Sequence, residues 1–331
     1  SPQLISDSLR NYYATLEKEL TLELQQLRTI KNRSLSSWSS SRTLKRFEIP
    51  YPILFVHGLV GSSQTWQEMT EWLEPLLGES INLEFSLNSD GSLSSSDMEY
   101  DVQSLIPSSL TSANLYNINF NCNSSGYCYS DGSAMSNYSN QAAITKQGKA
   151  IGIAVNSILD ATGKSKVILI GHSMGGLAIR EYLQNDIHWL RDYHSVAKLI
   201  TVGTPHCGSD FEFIGDFFIS DLFGSLGIKD TRATSEAVRD LRSTYDLIFG
   251  IESTYATFIW GGIESQNYMN DNLISSWDNV DVNCNGEVQE TIIGINRKSI
   301  YKGVEYASIR DPNDIIVNPQ LANKNFPDER T

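Results

Sequence analysis

Long apolar runs are missing from this chain of 331 residues. No stretch reaches ~18 apolar residues, so the sequence pattern offers no transmembrane segment. Excess basic charge is missing too: 25 Lys and Arg stand against 39 Asp and Glu, a net charge of −14. The basic residues are dispersed and the run Arg42–Arg46 is short. Nucleic acid is therefore not an expected partner, since binding phosphate requires a basic face. Cysteine is sparse, with four in all. Cys122 and Cys128 flank a polar loop at a spacing that suits a small disulfide ring and no zinc pattern; Cys207 and Cys284 are the other two. This usage favours an oxidising setting, secreted or at the cell surface. The chain begins Ser-Pro-Gln without a signal-like apolar segment, as a processed or trimmed secreted protein would. Histidine is scarce as well: His57, His172, His188, His194 and His206 are the five.

Periodicity supplies the organisation. Residues 7–31 carry Leu9, Tyr12, Tyr13, Leu16, Leu20, Leu22 and Leu24 at roughly helical spacing, and Ser34–Arg42 reads as a linker. Residues 1–46 are thus expected to form a helical arm and linker, either packed on the outside or binding a partner. Residues 47–331 are expected to form the main domain. A buried strand within Ile49–Ser63 runs into a Gly-rich turn, then a helix from about Trp66 to Leu77. Residues 79–140 read as a loop-rich insertion with one strand, Leu115–Phe120. A helix ended by Gly163, the strand KVILIG, the helix GGLAIREYLQ and the strand VAKLITVG follow. This alternation argues for an α/β fold with a mostly parallel sheet flanked by helices. Residues 209–250 break the rhythm with DFFISDLFGSLGI and a polar helix TSEAVRDLRS, and read as an inserted lid.

Gly171-His172-Ser173-Met174-Gly175 matches G-x-S-x-G and sits between a strand pattern and a helix pattern. That context holds a serine in a strained turn at the head of a helix, as a nucleophile requires. HGLVGS follows the first strand, and acyl transfer needs two N–H donors aimed at an oxyanion. The amides of Leu59 and Met174 are the candidate donors. Taken alone, HGLVGS is an ordinary strand-to-helix turn.

FVHGLVGS, GKSKVILIGHSMGGLAIREYL, LITVGTPHCGS and SEAVRDLRS together resemble the α/β-hydrolase superfamily. More narrowly they resemble its triacylglycerol-lipase and esterase branch, which includes the GPI inositol-deacylase-like hydrolases. The resemblance spans roughly residues 50–320 and is most specific at 55–61 and 166–208. It implies a Ser-His-Asp triad, an ester substrate and a lid that contacts a lipid surface. In such proteins the Thr-Pro-His-x-Gly loop, here Thr204–Gly208, lies beside the active site without usually supplying the base.

The resemblance also implies an acid after a late strand. VEYASIRDPNDIIV offers Asp314, which fits the family pattern better than Asp311, although Asp-Pro-Asn-Asp is also good turn chemistry. The histidine should come after the acid, and none of the residues after Asp314 is His. Three explanations stand. The histidine, with a last strand and helix, lies beyond Thr331; His206 serves in an atypical arrangement; or the chain is a pseudoenzyme. A missing histidine and a missing final strand share one cause, so the first is the expectation. Asp281, Asn283 and Asn285 with Gly286 match the first half of a calcium loop, but Ile292 stands where the bidentate Glu belongs. A polar turn explains them as well. No cofactor is required, with calcium as the one candidate. The expected activity is cleavage of carboxylic esters through an acyl-enzyme on Ser173. An acyltransferase or amidase on the same site, or a non-catalytic binding or adhesion domain, is the alternative.

Overall fold

The computed structural model describes residues 49–59, 61–88, 101–129, 138–206, 236–241, 247–248, 251–252, 295, 298, 301 and 303–309. The chain divides into two units, Ser1–Arg46 and Phe47–Thr331, and the described residues all belong to the second. Their strands are β1 (Ile53–Val56), β2 (Ser80–Leu87), β3 (Val102–Ser104), β4 (Leu115–Asn119), β5 (Val167–His172), β6 (Val196–Val202), β7 (Leu247–Ile248), β8 (Ile251–Glu252) and β9 (Glu305–Ile309). Seven form one sheet in the order β3-β2-β4-β1-β5-β6-β9, and β7 pairs with β8 separately. Within the sheet only β3 is antiparallel to its neighbour. The α-helices are α1 (Gln67–Leu77), α2 (Ile144–Thr162), α3 (Met174–Gln184) and α4 (Glu236–Leu241).

β1 and most of β5, in the middle of the sheet, are apolar on both faces, as a sheet covered on both sides requires. In β1, Leu54 and Val56 join the larger core with α2 and α3, while Ile53 and Phe55 join a smaller one with Trp66, Leu77 and Ile170 on the α1 side. The sheet is therefore a middle layer, with α1 on one face and α2 and α3 on the other.

Between 79 and 140 the structure differs from the sequence reading. Among the described residues three strands lie there rather than one, and β2 is the longest described strand of the sheet. The signal was an alternation, Ile81-Asn82-Leu83-Glu84-Phe85-Ser86-Leu87, carried in a polar composition that reads as loop. Leu83, Phe85 and Leu87 supply its buried face.

Local chemistry sets the helix ends. Gly163 closes α2 in the left-handed conformation, with φ 66°. At its other end Ala143 has no side chain to cap with. Two carboxylates of α4 do this instead: Glu236 accepts the Ala143 N–H at 2.9 Å and Asp240 the Ile144 N–H at 2.8 Å. Buried Lys146 bridges Glu236 at 2.9 Å and Asp101 at 3.1 Å. The polar helix read from TSEAVRDLRS is thus present as α4 and docked on α2 by its acids.

Helix α2 runs close to the chain beyond α3. A methyl group at Gly152 would run into the carbonyl oxygen of His188. Gly152→Ala should therefore destabilise the protein by about 1–3 kcal/mol despite alanine's better helix propensity. A melting temperature equal to or above that of the parent would show that the approach of these two segments is not close.

Candidate functional site

Parallel pairing brings three strand exits together at one edge. Val56 of β1 lies beside Gly171 of β5, Gly171 beside Thr201 of β6, and Val202 beside Ile309 of β9. The turns His57–Gly61, Ser173 and Gly203–His206 therefore emerge side by side, where sheets of this kind place their ligands.

Ser173 has φ 52° and ψ −128°, a strained conformation for a residue with a side chain. Its N–H donates to Val202 O at 2.8 Å and its carbonyl accepts from Gly176 N at 3.0 Å. Serine at a helix start usually caps the helix with its hydroxyl. Here Ser173 makes no such cap to α3. The flanking glycines allow the turn. A Cβ on Gly171 would lie 2.6 Å from Gly176 N, and one on Gly175 would strike the carbonyls of Val56 and His57. The first turn of α3 thus rests directly on the end of β1.

The same contact brings the second motif in. A Cβ on Gly58 would lie 2.8 Å from Ser173 Cβ and 3.3 Å from its Oγ. Gly61 N donates to Gly58 O at 3.1 Å, which closes a tight turn, and Asn140 holds Gly61 O at 3.2 Å. Leu59 sits inside that turn, and Met174 is the first residue of α3, where N–H groups have no partner within the helix. Gly58, the neighbour of Leu59, thus meets Ser173, the neighbour of Met174.

The histidines divide by partner. His57 is fully buried. Its Nε2 accepts from Phe120 N–H at 3.0 Å and its Nδ1–H donates to Gly58 O at 2.8 Å, which fixes the tautomer. Burial, only partly offset by the Gly58 hydrogen bond, brings its pKa down to about 4, with His172 adding to the fall. His172 lies edge-on to Trp66, on the α1 side. His188 bonds Glu181 at 3.0 Å. Burial raises the Glu181 carboxyl, but the hydrogen bond and charge of His188, then Lys298 and Asn185, bring it down to about 2. His194 accepts from Val196 N–H at 3.0 Å, and burial with nearby Lys166 holds its pKa at about 4.

His206 is the candidate base internal to the chain, and it is buried. Arg180 Nη1 lies 3.2 Å from its Nδ1. A guanidinium only donates, so Nδ1 carries the lone pair and Nε2 the hydrogen, which goes to Thr201 Oγ1 at 3.1 Å. Burial and the Arg180 charge hold its pKa well below the usual value. Asp311 and Asp314 follow β9 in sequence and lie outside the described residues, as do Asp281, Asn283, Asn285, Cys207 and Cys284. Cys122 and Cys128 form a disulfide. No described helix is long and apolar enough to cross a membrane.

The model of the PGAP1-like alpha/beta domain matches residues 50–244, more than half of the chain. The chain belongs to this family. A triacylglycerol lipase of Pseudarthrobacter phenanthrenivorans is 30% identical over 175 residues, 53% of this chain and 39% of that protein. One of Burkholderia plantarii is 30% identical over 175 residues, 53% of this chain and 35% of its own. The matched stretch thus spans less than half the length of either lipase. Among solved structures, the mature Bacillus licheniformis lipase BlEst2 is 21% identical with a TM-score of 0.34, covering 61% of this chain and 59% of that one. A Listeria innocua gene product is 18% identical with a TM-score of 0.35, covering 80% and 84%.

Several residues around the site went unread in the sequence. Phe120 orients His57, Gln147 lies 3.7 Å from the Met174 sulfur, and Arg180 holds His206. None belongs to a motif whose spacing marks it. Only the polar character of Arg180, Glu181 and Gln184 inside a helix buried along its whole length could have flagged them.

The low pKa of His57 has a consequence with a definite sign. Between pH 6.5 and 4 the unfolded chain takes up a proton on this ring that the native protein does not. Stability is therefore complete above the unfolded value and falls as the pH drops through that window. The His57 contribution is about 3 kcal/mol at most. His206 acts in the same direction. In melting curves taken across this range, His57→Gln should show a shallower pH dependence than the parent; an identical slope would show that His57 is not held neutral.

Proposed function

We propose that this protein is a serine hydrolase that cleaves carboxylic esters through an acyl-enzyme on Ser173. One observation carries the reading: the strained Ser173, without a capping bond to its own helix, stands directly over Gly58 of the turn after β1. That is the arrangement a nucleophile and an oxyanion site require together. Family membership and the lipase relatives support an ester or lipid substrate.

In this reading Ser173 Oγ attacks the acyl carbon. Its carbonyl oxygen gains negative charge and is held by the Leu59 and Met174 N–H groups. Loss of an oxyanion donor of this kind costs about 3–4 kcal/mol in the transition state. The α3 N-terminus adds a positive dipole end at the same point. Asp314 orients the base and stabilises its protonated form. The alcohol leaves, water attacks the acyl-enzyme, and the free acid departs.

None of the five histidines is assigned here as the base. His57, His188, His194 and His206 have ring nitrogens engaged elsewhere, and His172 lies against Trp66. We assign residues 209–250 the role of a lid; within them, α4 docks on the start of α2. The Cys122–Cys128 disulfide supports a secreted or cell-surface setting.

A fluorophosphonate probe should label Ser173, and Ser173→Ala should abolish labelling with little change in melting temperature. Added imidazole should speed the labelling, because a small free base can take the Ser173 proton. Absence of labelling with and without imidazole, in folded protein, would favour a binding domain that retains the fold.

A further inference from the structure

We propose that Arg180 is a positioning residue, and that His206 serves as its strut and not as a base. The proposal deepens the hydrolase reading and rests on it. Helix α3 is buried along its whole length, so its polar side chains must find partners inside the protein. Arg180 is about two turns along α3 from Ser173. It is only 1% exposed.

Its guanidinium reaches in three directions. Nε donates to Gln184 Oε1 at 2.9 Å, Nη1 to His206 Nδ1 at 3.2 Å, and Nη2 to Ile295 O at 3.4 Å. Gln184 extends the grip, donating to Ile295 O at 2.6 Å and Lys298 O at 2.8 Å. One side-chain pair thus ties α3 to the exit of β6 and to the chain that approaches β9. A lysine cannot do this, because its single ammonium lacks the planar fork. An apolar side chain would fill the space without the cost of burying a charge. Fill alone therefore does not account for an arginine here.

Both tied segments bear on the nucleophile. Val202, at the end of β6, accepts the Ser173 N–H. Gly203 N donates to Ile309 O at 2.8 Å, linking the β6 exit to the end of β9. Thr204 lies tightly against Gly176 in the first turn of α3. His206 then closes the loop, with its N–H bonded to Thr204 O at 2.9 Å and its ring spanning Arg180 and Thr201. A slack clamp would let the β6 exit move, and the strained backbone of Ser173 would move with it. Small misplacements of a reacting group cost about 10²-fold in rate.

The two roles for His206 make opposite demands on its replacement. Glutamine offers an oxygen for Arg180 to donate to and an N–H for Thr201, but it takes up no proton. His206→Gln should therefore recover most of the fluorophosphonate labelling rate at Ser173, with an unchanged pH profile. His206→Leu and Arg180→Lys should each lose about 10²-fold in rate while still melting cooperatively. Their amides at 201–206 should exchange with deuterium faster than in the parent. The clamp is overturned if His206→Gln is as slow as His206→Leu with both folded, which would make the ring itself the base, or if Arg180→Lys labels at the parent rate. If the parent does not label at all, the hydrolase reading fails separately. Exchange still decides the clamp in that case: unchanged protection at 201–206 in Arg180→Lys overturns it.

Discussion

The backbone of Ser173 is a non-glycine residue held at φ 52° and ψ −128°, and the rest of the fold is arranged so that it can stay there. Such a conformation costs about 1–3 kcal/mol and persists only when its surroundings over-determine it. The surroundings here are three strands and one helix. Val202 of β6 takes the Ser173 N–H, and α3 turns back through the Gly176 N–H. The end of β1 lies so near that Gly175 has no room for a side chain. The order β1-β5-β6 in the sheet is thus a condition of the turn as well as its scaffold.

Around that turn the protein invests in buried polar groups, each with a specific partner. His57 reaches Phe120 on one side and Gly58 on the other, so the end of β4 and the turn after β1 move as one piece. The disulfide closes the loop that begins just beyond Phe120, which steadies the donor. On the other side of the nucleophile, Arg180 and Gln184 do the same for the β6 exit. An unsatisfied group in either place would cost about 1–3 kcal/mol, so these bonds specify geometry strongly. The histidines nearest the turns are held neutral by burial, which leaves them as hydrogen-bonding struts.

Helix α4 shows how a distant segment is drawn into the same assembly. Ala143 leaves the start of α2 without a local cap, and the carboxylates of Glu236 and Asp240 fill that need from far along the chain. Lys146, in the first turn of α2, neutralises part of their charge, and its neighbour Gln147 touches Met174. The α2 N-terminus therefore links α4 to the head of α3.

Local pattern was enough to read β1, β5, β6 and α1 to α3, because burial on a strand or helix leaves a short-range period in the residues themselves. The glycines of Gly171–Gly175 were legible for a similar reason: a sharp turn tolerates few residue types. In β2 the same periodicity was present but lay within a Ser- and Asn-rich composition, and only pairing with β4 makes it a strand. The meeting of Gly58 with Ser173 was foreshadowed by motif; their contact depends on β1 and β5 pairing in register. What sequence could not decide was the state of each histidine. A ring's tautomer and its freedom to accept a proton depend on which donors lie within 3 Å or so, and those donors come from residues far apart in the chain. Arg180 and His206 are separated by a strand and two turns in sequence, and only the packing of α3 against the exit of β6 makes them partners.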